Sequence, residues 1–336
     1  MRIAFDNRKD SFSKRWEDYC IDNQIQYERV DYKRSDIVDY LRNFDYILWH
    51  WTQQDPSSIL FAKQLLYSLE IANRKVFPNF NTIWHFDDKI GQKYLFESLD
   101  IPHVDTHIFY NKVDANRYVK NIKYPIVFKL SRGAGSANVK LIKNRKMAER
   151  IIEKSFTKGF KPFPSIFADQ KKNIQKTSKK EIFRKVLKIP RIYRDVLLKN
   201  KKMGREIGYV YLQNFIPNNN YDIRIVVIGN RAFGLKRIVR KNDFRASGSG
   251  NIVYNKKEID INCIKIAFEM NNKINAQSIA FDFIYEENNP KIIEISYGFK
   301  YEAYDKCEGF WDANLQWHNE NVNAPDFIIE DLIKNG

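Results

Sequence analysis

Glycine is scarce in this chain, with 13 in 336 residues, and cysteine is scarcer still, with three. Cys20, Cys263 and Cys307 show no metal-ligand spacing and cannot all pair, which excludes a disulfide scaffold and fits a reducing cytoplasm. Long apolar runs are lacking too: charges interrupt every stretch before the ~18–20 residues of a membrane span. The start, Met1-Arg2-Ile3-Ala4-Phe5-Asp6-Asn7, has no apolar signal region, so secretion is not expected and the protein is placed in the cytoplasm. Hydrophobic residues at 43% and aromatics at 15% exclude a disordered, collagen-like or low-complexity chain. Acidic residues are outnumbered, 41 against 57 Lys and Arg, for a net charge of +16. That charge permits nucleic acid, anionic surfaces, acidic polymers or nucleotides as partners without choosing among them. Scarce glycine is the sharper clue, because closely spaced glycines then mark backbone that must bend or approach a ligand. Gly133/Gly135 and Gly248/Gly250 are two such pairs, both in loops beside basic residues.

What is present begins with β-α-β alternation. Arg2–Phe5, Tyr27–Asp31, Phe44–Trp51 and Lys75–Pro78 have strand character, with helical patterns over 12–23, 35–42 and 57–73. This predicts a small parallel sheet covered by helices, without a G-x-G-x-x-G fingerprint, serving as a scaffold or a substrate-presenting domain. From Asp87 or Asp88 a capped helix runs to about Leu99. Strand-like Tyr124–Leu130 follows, then the loop Ser131-Arg132-Gly133-Ala134-Gly135-Ser136, strand-like Asn138–Ile142 and a helix over 145–155. A Gly-x-Gly-Ser turn can lay backbone N–H groups over phosphates, with Lys129 and Arg132 adding charge; a plain hairpin turn is the alternative. Residues 158–205 hold twelve Lys and four Arg against Asp169, Glu181 and Asp195, a net charge of +13. With Ile182, Phe183, Val186, Leu187 and Ile189 near helical spacing, this block is either a solvated, partly helical insertion or a surface for an anionic substrate.

The strand-rich part from Tyr209 onward is more specific. Tyr221–Ile228 and Arg231–Val239 flank Gly229-Asn230, a two-residue hairpin loop. Period-two geometry puts Arg224, Val226 and Ile228 on one face, and Arg237 and Lys236 on opposite faces, so at most one of the latter pair reaches a shared site. A polar loop, Asp243 to Gly250, follows. In a second hairpin, Ser278–Tyr285 with Lys291–Tyr297, a turn centred on residue 288 puts Asp282 opposite Glu294. Glu294 and Ser296 then share a face, with Ile293 and Ile295 on the other. Opposed carboxylates repel unless a cation lies between them, and with a hydroxyl they form a hard oxygen donor set suited to Mg²⁺ and phosphates. Ordinary solvent-facing carboxylates are the alternative.

Taken together, these pieces resemble the ATP-grasp superfamily and, within it, the RimK-type carboxylate–amine ligases, over about residues 85–300. The order of the motifs matches. Asp88-Lys89 resembles the pair that opens the small lobe, and Tyr124-Pro-Ile-Val-Phe-Lys129 with the 132–136 loop resembles the family's lysine and phosphate-covering loop. Leu212-Gln213-Asn214-Phe215-Ile216 resembles the adenine-contacting hinge, with Asn214 where relatives often have Glu. Asp222-Ile-Arg224 is similar to the family's Asp-Ile-Arg, and Asn242-Asp243-Phe244-Arg245 to its Gly-Asp-Phe-Arg. Arg237, eight positions before Arg245, aligns with a family arginine where Lys236 does not. Asp282 and Glu294 fall on the metal carboxylates, and Ser296 stands where relatives usually have Asn. The tail through Cys307, Trp311 and His318 looks like the ending of RimK-like proteins of bacterial surface-polysaccharide gene clusters. A packed aromatic tail accounts for it better than a Cys307/His318 nucleophile and base.

The resemblance implies an α/β (α+β) fold in three parts. These are an N-terminal Rossmann-like pre-ATP-grasp domain over 1–84, a small ATP-grasp lobe over 85–210 with the insertion at 158–205, and a large lobe over 211–336 carrying the metal site. It implies ATP between the lobes, contacted by Lys89, Lys129, Arg132, Gly133, Gly135, Ser136 and Arg245, with Gln213, Asn214 and Phe215 near adenine and Asp222 near ribose. Asp282, Glu294 and Ser296 would hold Mg²⁺, or Mn²⁺, and Arg224, Arg237 and Arg245 would act on the reacting groups. The implied reaction joins a carboxylate and an amine through an acyl phosphate, first of all an amino acid or amino sugar with a sugar carboxylate in surface-glycan assembly. The acceptor would be an anionic glycan or nucleotide sugar, and the protein a homo-oligomer. Other readings are amino-acid or peptide ligation to a protein or peptide, an ATP-grasp kinase, or a non-enzymatic basic nucleic-acid-binding protein.

Overall fold

The computed structural model describes residues 1–8, 11–133, 138–163, 190, 193–240, 244 and 250–334. It divides into two compact units, one formed by Met1–Phe86, Leu95–His103 and Asn218–Gly336, the other by Asp87–Tyr94 and Val104–Pro217. Among the described residues no helix is long and apolar enough to cross a membrane.

The first unit opens with four parallel strands, β1 (Arg2–Asp6), β2 (Gln26–Val30), β3 (Tyr46–Leu48) and β4 (Lys75–Phe77), in the order β2-β1-β3-β4. Ile3, Ala4 and Phe5 are fully buried although their side chains alternate, as in a parallel sheet covered on both faces. The crossover helices are those the apolar spacing predicts: Ser13–Asp22 buries Trp16 and Cys20 four apart. Pro56–Ile71 starts where Asp55 accepts from the Ser57 N–H, with Pro56 at the first helical position.

The same unit holds an antiparallel sheet of β9 (Tyr221–Ile228), β10 (Arg231–Ile238), β11 (Ile252–Val253), β12 (Ser278–Glu286), β13 (Asn289–Ser296), β14 (Phe310–Asp312) and β15 (Trp317–His318). Its order is β13-β12-β9-β10-β14-β15, with β11 also on β10. The helix Ile261–Ile274, capped by Asp260 and ended by left-handed Asn275, packs Ile264, Ala267 and Phe268 against Ile223, Ile225, Phe281, Phe283, Ile292 and Ile295 on one face. The other face carries Val226, Phe233 and Leu235 into the core shared with the N-terminal sheet.

The second unit contains β5 (Thr106–Phe109), β6 (Ile126–Lys129), β7 (Lys140–Ile142) and β8 (Val210–Asn214), ordered β5-β8-β6-β7 and antiparallel throughout. Helices Lys112–Val119 and Arg145–Phe156 cover one face through Ala115, Val119, Ala148 and Ile152. Strand β5 and the helix after it are absent from the sequence expectations. The helix buries only two residues and the strand begins Thr-His, so neither period rises above its polar neighbours.

Candidate active site

Strands β9, β10, β12 and β13 bring five charged side chains to one face of the antiparallel sheet. Their register pairs Arg224 with Asp282, Arg237 with Asp222, and Asp282 with Glu294. Arg237 donates Nε to Asp222 Oδ1 at 2.9 Å and its Nη2 to Asp222 Oδ2, and the same Nη2 lies 3.0 Å from Asp282 Oδ1. Arg224 Nε is 3.5 Å from Asp282. Lys236, one residue from Arg237, points to the opposite face and pairs with Glu258 at 2.8 Å, so period-two geometry decides which cation joins the cluster.

Burial sets the electrostatics. The Asp222 side chain is fully enclosed, and that desolvation pushes its carboxyl up to about 6 against the pull of Arg237. Arg237 and Arg224 are held in the charged form, with Asp282 overcoming their own desolvation. Tyr304, buried beside both arginines, has its phenol pushed up to about 12 by burial.

The Asp282–Glu294 pairing arises differently from the sequence expectation. The turn is the two-residue Glu287-Asn288, both at positive φ, so its centre is 287.5 and an unbroken ladder would set Asp282 opposite Ile293. A β-bulge between Asp282 and Phe283 takes up the extra residue and restores Glu294 as the partner. Ile292, not Ile293, therefore joins Ile295 in the core, correcting the expected face of Ile293.

Two carboxylates side by side on paired strands fit a hard divalent cation. Among the described residues no three His, Cys, Asp or Glu gather as a metal cage, so the remaining ligands would come from phosphate oxygens and water. Ser296 lies on the same face, and its hydroxyl donates to the Gly298 carbonyl at 2.8 Å.

In the second unit Lys129, Tyr211 and Gln213 share one face of their sheet, Lys129 pairing with Tyr211 and Gln213 donating to Thr106 Oγ1 at 3.0 Å. Asn214 is the exposed last residue of β8 and donates its backbone N–H to the Asp105 carbonyl; Phe215 follows, half-buried. The start of the loop after β6 is tied down from three directions. Lys89 donates Nζ to the Gly133 carbonyl at 3.2 Å, Asp88 accepts from Ser131 Oγ, and Asp87 accepts from the Gly133 N–H. Glu206 accepts from the N–H groups of Ser131 and Arg132 and from the Tyr209 hydroxyl, and pairs with Arg132 Nε at 3.4 Å. Gly133 sits at φ +121, a conformation that a side chain would strain.

Glu206 and Tyr304 escaped the sequence reading, and Asp87 entered it only as a helix cap, not as a partner of the Gly133 N–H. Glu206 alone gave a signal, as a lone acid directly after Lys199, Lys201, Lys202 and Arg205. Gly135, Ser136, Asp243, Arg245 and Gly248, and the apolar run Ile182–Ile189, lie outside the described residues. Cys307 and His318 are not brought together as nucleophile and base. Cys307 donates to the Gly234 carbonyl and burial pushes its thiol up to about 12. His318 stacks on Phe310 and pairs with Asp312 at 2.9 Å.

This fold is shared with solved ATP-grasp proteins. A RimK-domain ATP-grasp protein from Sphaerobacter thermophilus superposes with a TM-score of 0.53 at 15% identity, covering 88% of this chain and 90% of that one. D-alanine–D-alanine ligase from Bacillus anthracis, complexed with ATP, gives 0.59 at 12%, covering 100% and 97%. The biotin carboxylase domain of Hydrogenobacter thermophilus 2-oxoglutarate carboxylase, in complex with MgADP, ADP and bicarbonate, gives 0.62 at 13%, covering 99% and 69%. No curated protein sequence matches the chain. The molecule thus has the fold of the ATP-grasp proteins. Within it, residues 196–312 match the family model of the RimK-like ATP-grasp domain.

Proposed function

We propose that the protein is an ATP-dependent carboxylate–amine ligase, and the observation that carries this is the Asp282–Glu294 pair flanked by Arg224 and Arg237 within the RimK-like domain. In this reading residues 1–84 are the pre-ATP-grasp domain, 85–210 the small lobe and 211–336 the large lobe. Lys89, Lys129, Arg132, Gly133, Gly135, Ser136 and Arg245 bind the phosphates of ATP, and Gln213, Asn214, Phe215 and Asp222 bind the nucleoside. Asp282 and Glu294, with Ser296 directly or through water, hold Mg²⁺ or Mn²⁺, which neutralises phosphate charge when bound.

The substrate carboxylate attacks the γ-phosphorus in line and the bond to the ADP oxygen breaks, leaving an acyl phosphate. The amine then attacks the acyl carbon, loses a proton and expels inorganic phosphate. Arg224 and Arg237, fixed by their carboxylate partners, stabilise the oxyanion of the tetrahedral intermediate without reorganising. The substrates we favour are an amino acid or amino sugar and a sugar carboxylate of a bacterial surface glycan, joined in the cytoplasm by a homo-oligomer.

The test is ADP release with Mg·ATP against paired uronic acids and amino acids, with hydroxylamine as a trap. An acid-dependent hydroxamate is expected, and Asp282→Asn combined with Glu294→Gln should abolish turnover while the circular-dichroism melt persists. Unchanged turnover in the double variant would sink the metal assignment. ADP release with no hydroxamate from any acid would make the protein a kinase.

A further inference from the structure

The N-terminal sheet carries a cavity of about 560 Å³ that the ATP and metal residues leave unused. It opens where the order β2-β1-β3-β4 changes direction, beyond the carboxyl ends of β1 and β3, the place where open parallel sheets bind ligands. Arg8, His50 and Trp51 line it from this sheet, and Gly298 to Glu302, just past β13, line it from the other.

Its floor is built rather than incidental. Asp6, buried at the end of β1, accepts from the hydroxyls of Ser11 and Ser13 and from the N–H groups of Arg8 and His50. Arg8 Nη2 donates to the His50 carbonyl at 2.6 Å, which holds the guanidinium against the cavity. The His50 ring stacks on Phe12 and its Nδ1 accepts the Phe12 N–H at 3.2 Å, so the proton of the neutral ring sits on Nε2. Burial, and then the charge of Arg8, hold that imidazole neutral by pushing its pKa well down. Nε2 faces Gly298, 3.7 Å from the place a side chain there would occupy.

Among the described residues, two buried donors in this wall have no acceptor. Trp51 is 3% exposed, and among the described residues neither its Nε1–H nor the buried Nε–H of Arg8 meets a hydrogen-bond acceptor. Such unmet donors cost about 1–3 kcal/mol each unless a ligand completes them. Lys300 and Glu302 at the rim carry opposite charges, and Arg8 Nε lies 3.8 Å from Asp6 Oδ2, so it is the unmet N–H groups rather than net charge that select the ligand. The complement is a compact anion with several lone pairs.

We propose that this cavity binds the carboxylate of the amine-bearing substrate, held by Arg8, the Trp51 indole N–H and His50 Nε2–H, so that this substrate is an amino acid rather than an amino sugar. None of Arg224, Arg237, Asp282 and Glu294 lines this cavity, so within the ligase reading the group held here serves recognition and is not the one phosphorylated. The anion site stands on its own geometry, while its assignment to a co-substrate rests on the ligase reading.

The test uses ¹H–¹⁵N spectra of the full chain without ATP, the Trp51 indole resonance being assigned with Trp51→Phe. L-Alanine, L-glutamate and L-lysine, their α-carboxamides, and inorganic phosphate are titrated. A saturable shift at Trp51 with at least one amino acid is expected, at least tenfold weaker for its carboxamide. Arg8→Gln should weaken that binding at least tenfold, and Trp51→Phe several-fold by intrinsic calorimetry, both with an unchanged melting profile. Three outcomes overturn the proposal: no response at Trp51 to any amino acid, carboxamides binding as well as acids, or phosphate binding best. Amino-acid binding with no acid-dependent ADP release would instead sink the ligase reading and leave the carboxylate site standing. ADP release without a Trp51 response would do the reverse.

Discussion

Arg237 is the residue on which the polar face of the antiparallel sheet depends, because its planar fork grips Asp222 with two donors and reaches Asp282 with one of them. Lysine cannot reproduce that fork. Arg237→Lys should lower turnover at least tenfold in the ADP-release assay with little change in the Michaelis constant for ATP. Asp222→Ala strips a buried cation of its main partner, which typically costs roughly 3–5 kcal/mol. Asp282 still faces Arg237, so a loss of about 3 kcal/mol in denaturant unfolding is expected, together with reduced turnover. Period two put Arg237 and Lys236 on opposite faces, but it took the motif resemblance to choose Arg237, and a β-bulge to set Glu294 beside Asp282. The enclosure of Asp222 was not legible, since it depends on what packs over the strand rather than on the strand itself.

At the scale of elements, the loop after β6 owes its first turn to Glu206, a buried carboxylate collecting two backbone N–H groups and a phenol. Glu206→Gln sets an amide donor against those donors, leaving a polar group unmet at about 1–3 kcal/mol. If this loop covers phosphates, the Michaelis constant for ATP should rise about tenfold while kcat changes less than twofold. The C-terminal helix Ala324–Lys334 offers a test of pH dependence. Burial, aided by the charge of Glu330, pushes the Asp326 carboxyl up to about 6 from 3.8. An acid raised on folding is ionised first in the unfolded chain, so its ionisation destabilises the fold as pH climbs from about 4 to 6 and the penalty persists above. Asp326→Asn should therefore raise the unfolding free energy at pH 7 by on the order of 1 kcal/mol after solvent screening, with a higher Tm, and leave it nearly unchanged at pH 4.

For the whole molecule, the net charge of +16 is concentrated in the 158–205 block, which alone carries +13. The remainder has an ordinary charge balance, so basicity gives no reason to expect nucleic acid as the partner. If the block docks an anionic acceptor, neutralising several lysines of 171–202 should raise the acceptor Michaelis constant several-fold. The Michaelis constant for ATP should stay within twofold, and steady-state kinetics at fixed ionic strength separates the two.

Local pattern determined much of this protein by itself. Apolar alternation placed the four N-terminal strands and the two long hairpins of the antiparallel sheet, though not β11, β14 or β15; helical spacing placed the crossover helices, and motif order pointed to the ATP-grasp fold. These are properties of neighbouring residues, and neighbours carry their own period. Tertiary structure alone decided the rest. It set the bulge that turns Glu294 toward Asp282, the burial that binds Asp222 to Arg237, and the reach of Glu206 across 75 residues to Ser131. It also brought Arg8, His50 and Trp51 to one cavity beside Gly298. Each depends on contacts between segments far apart in the chain, and no local period encodes which of them will meet.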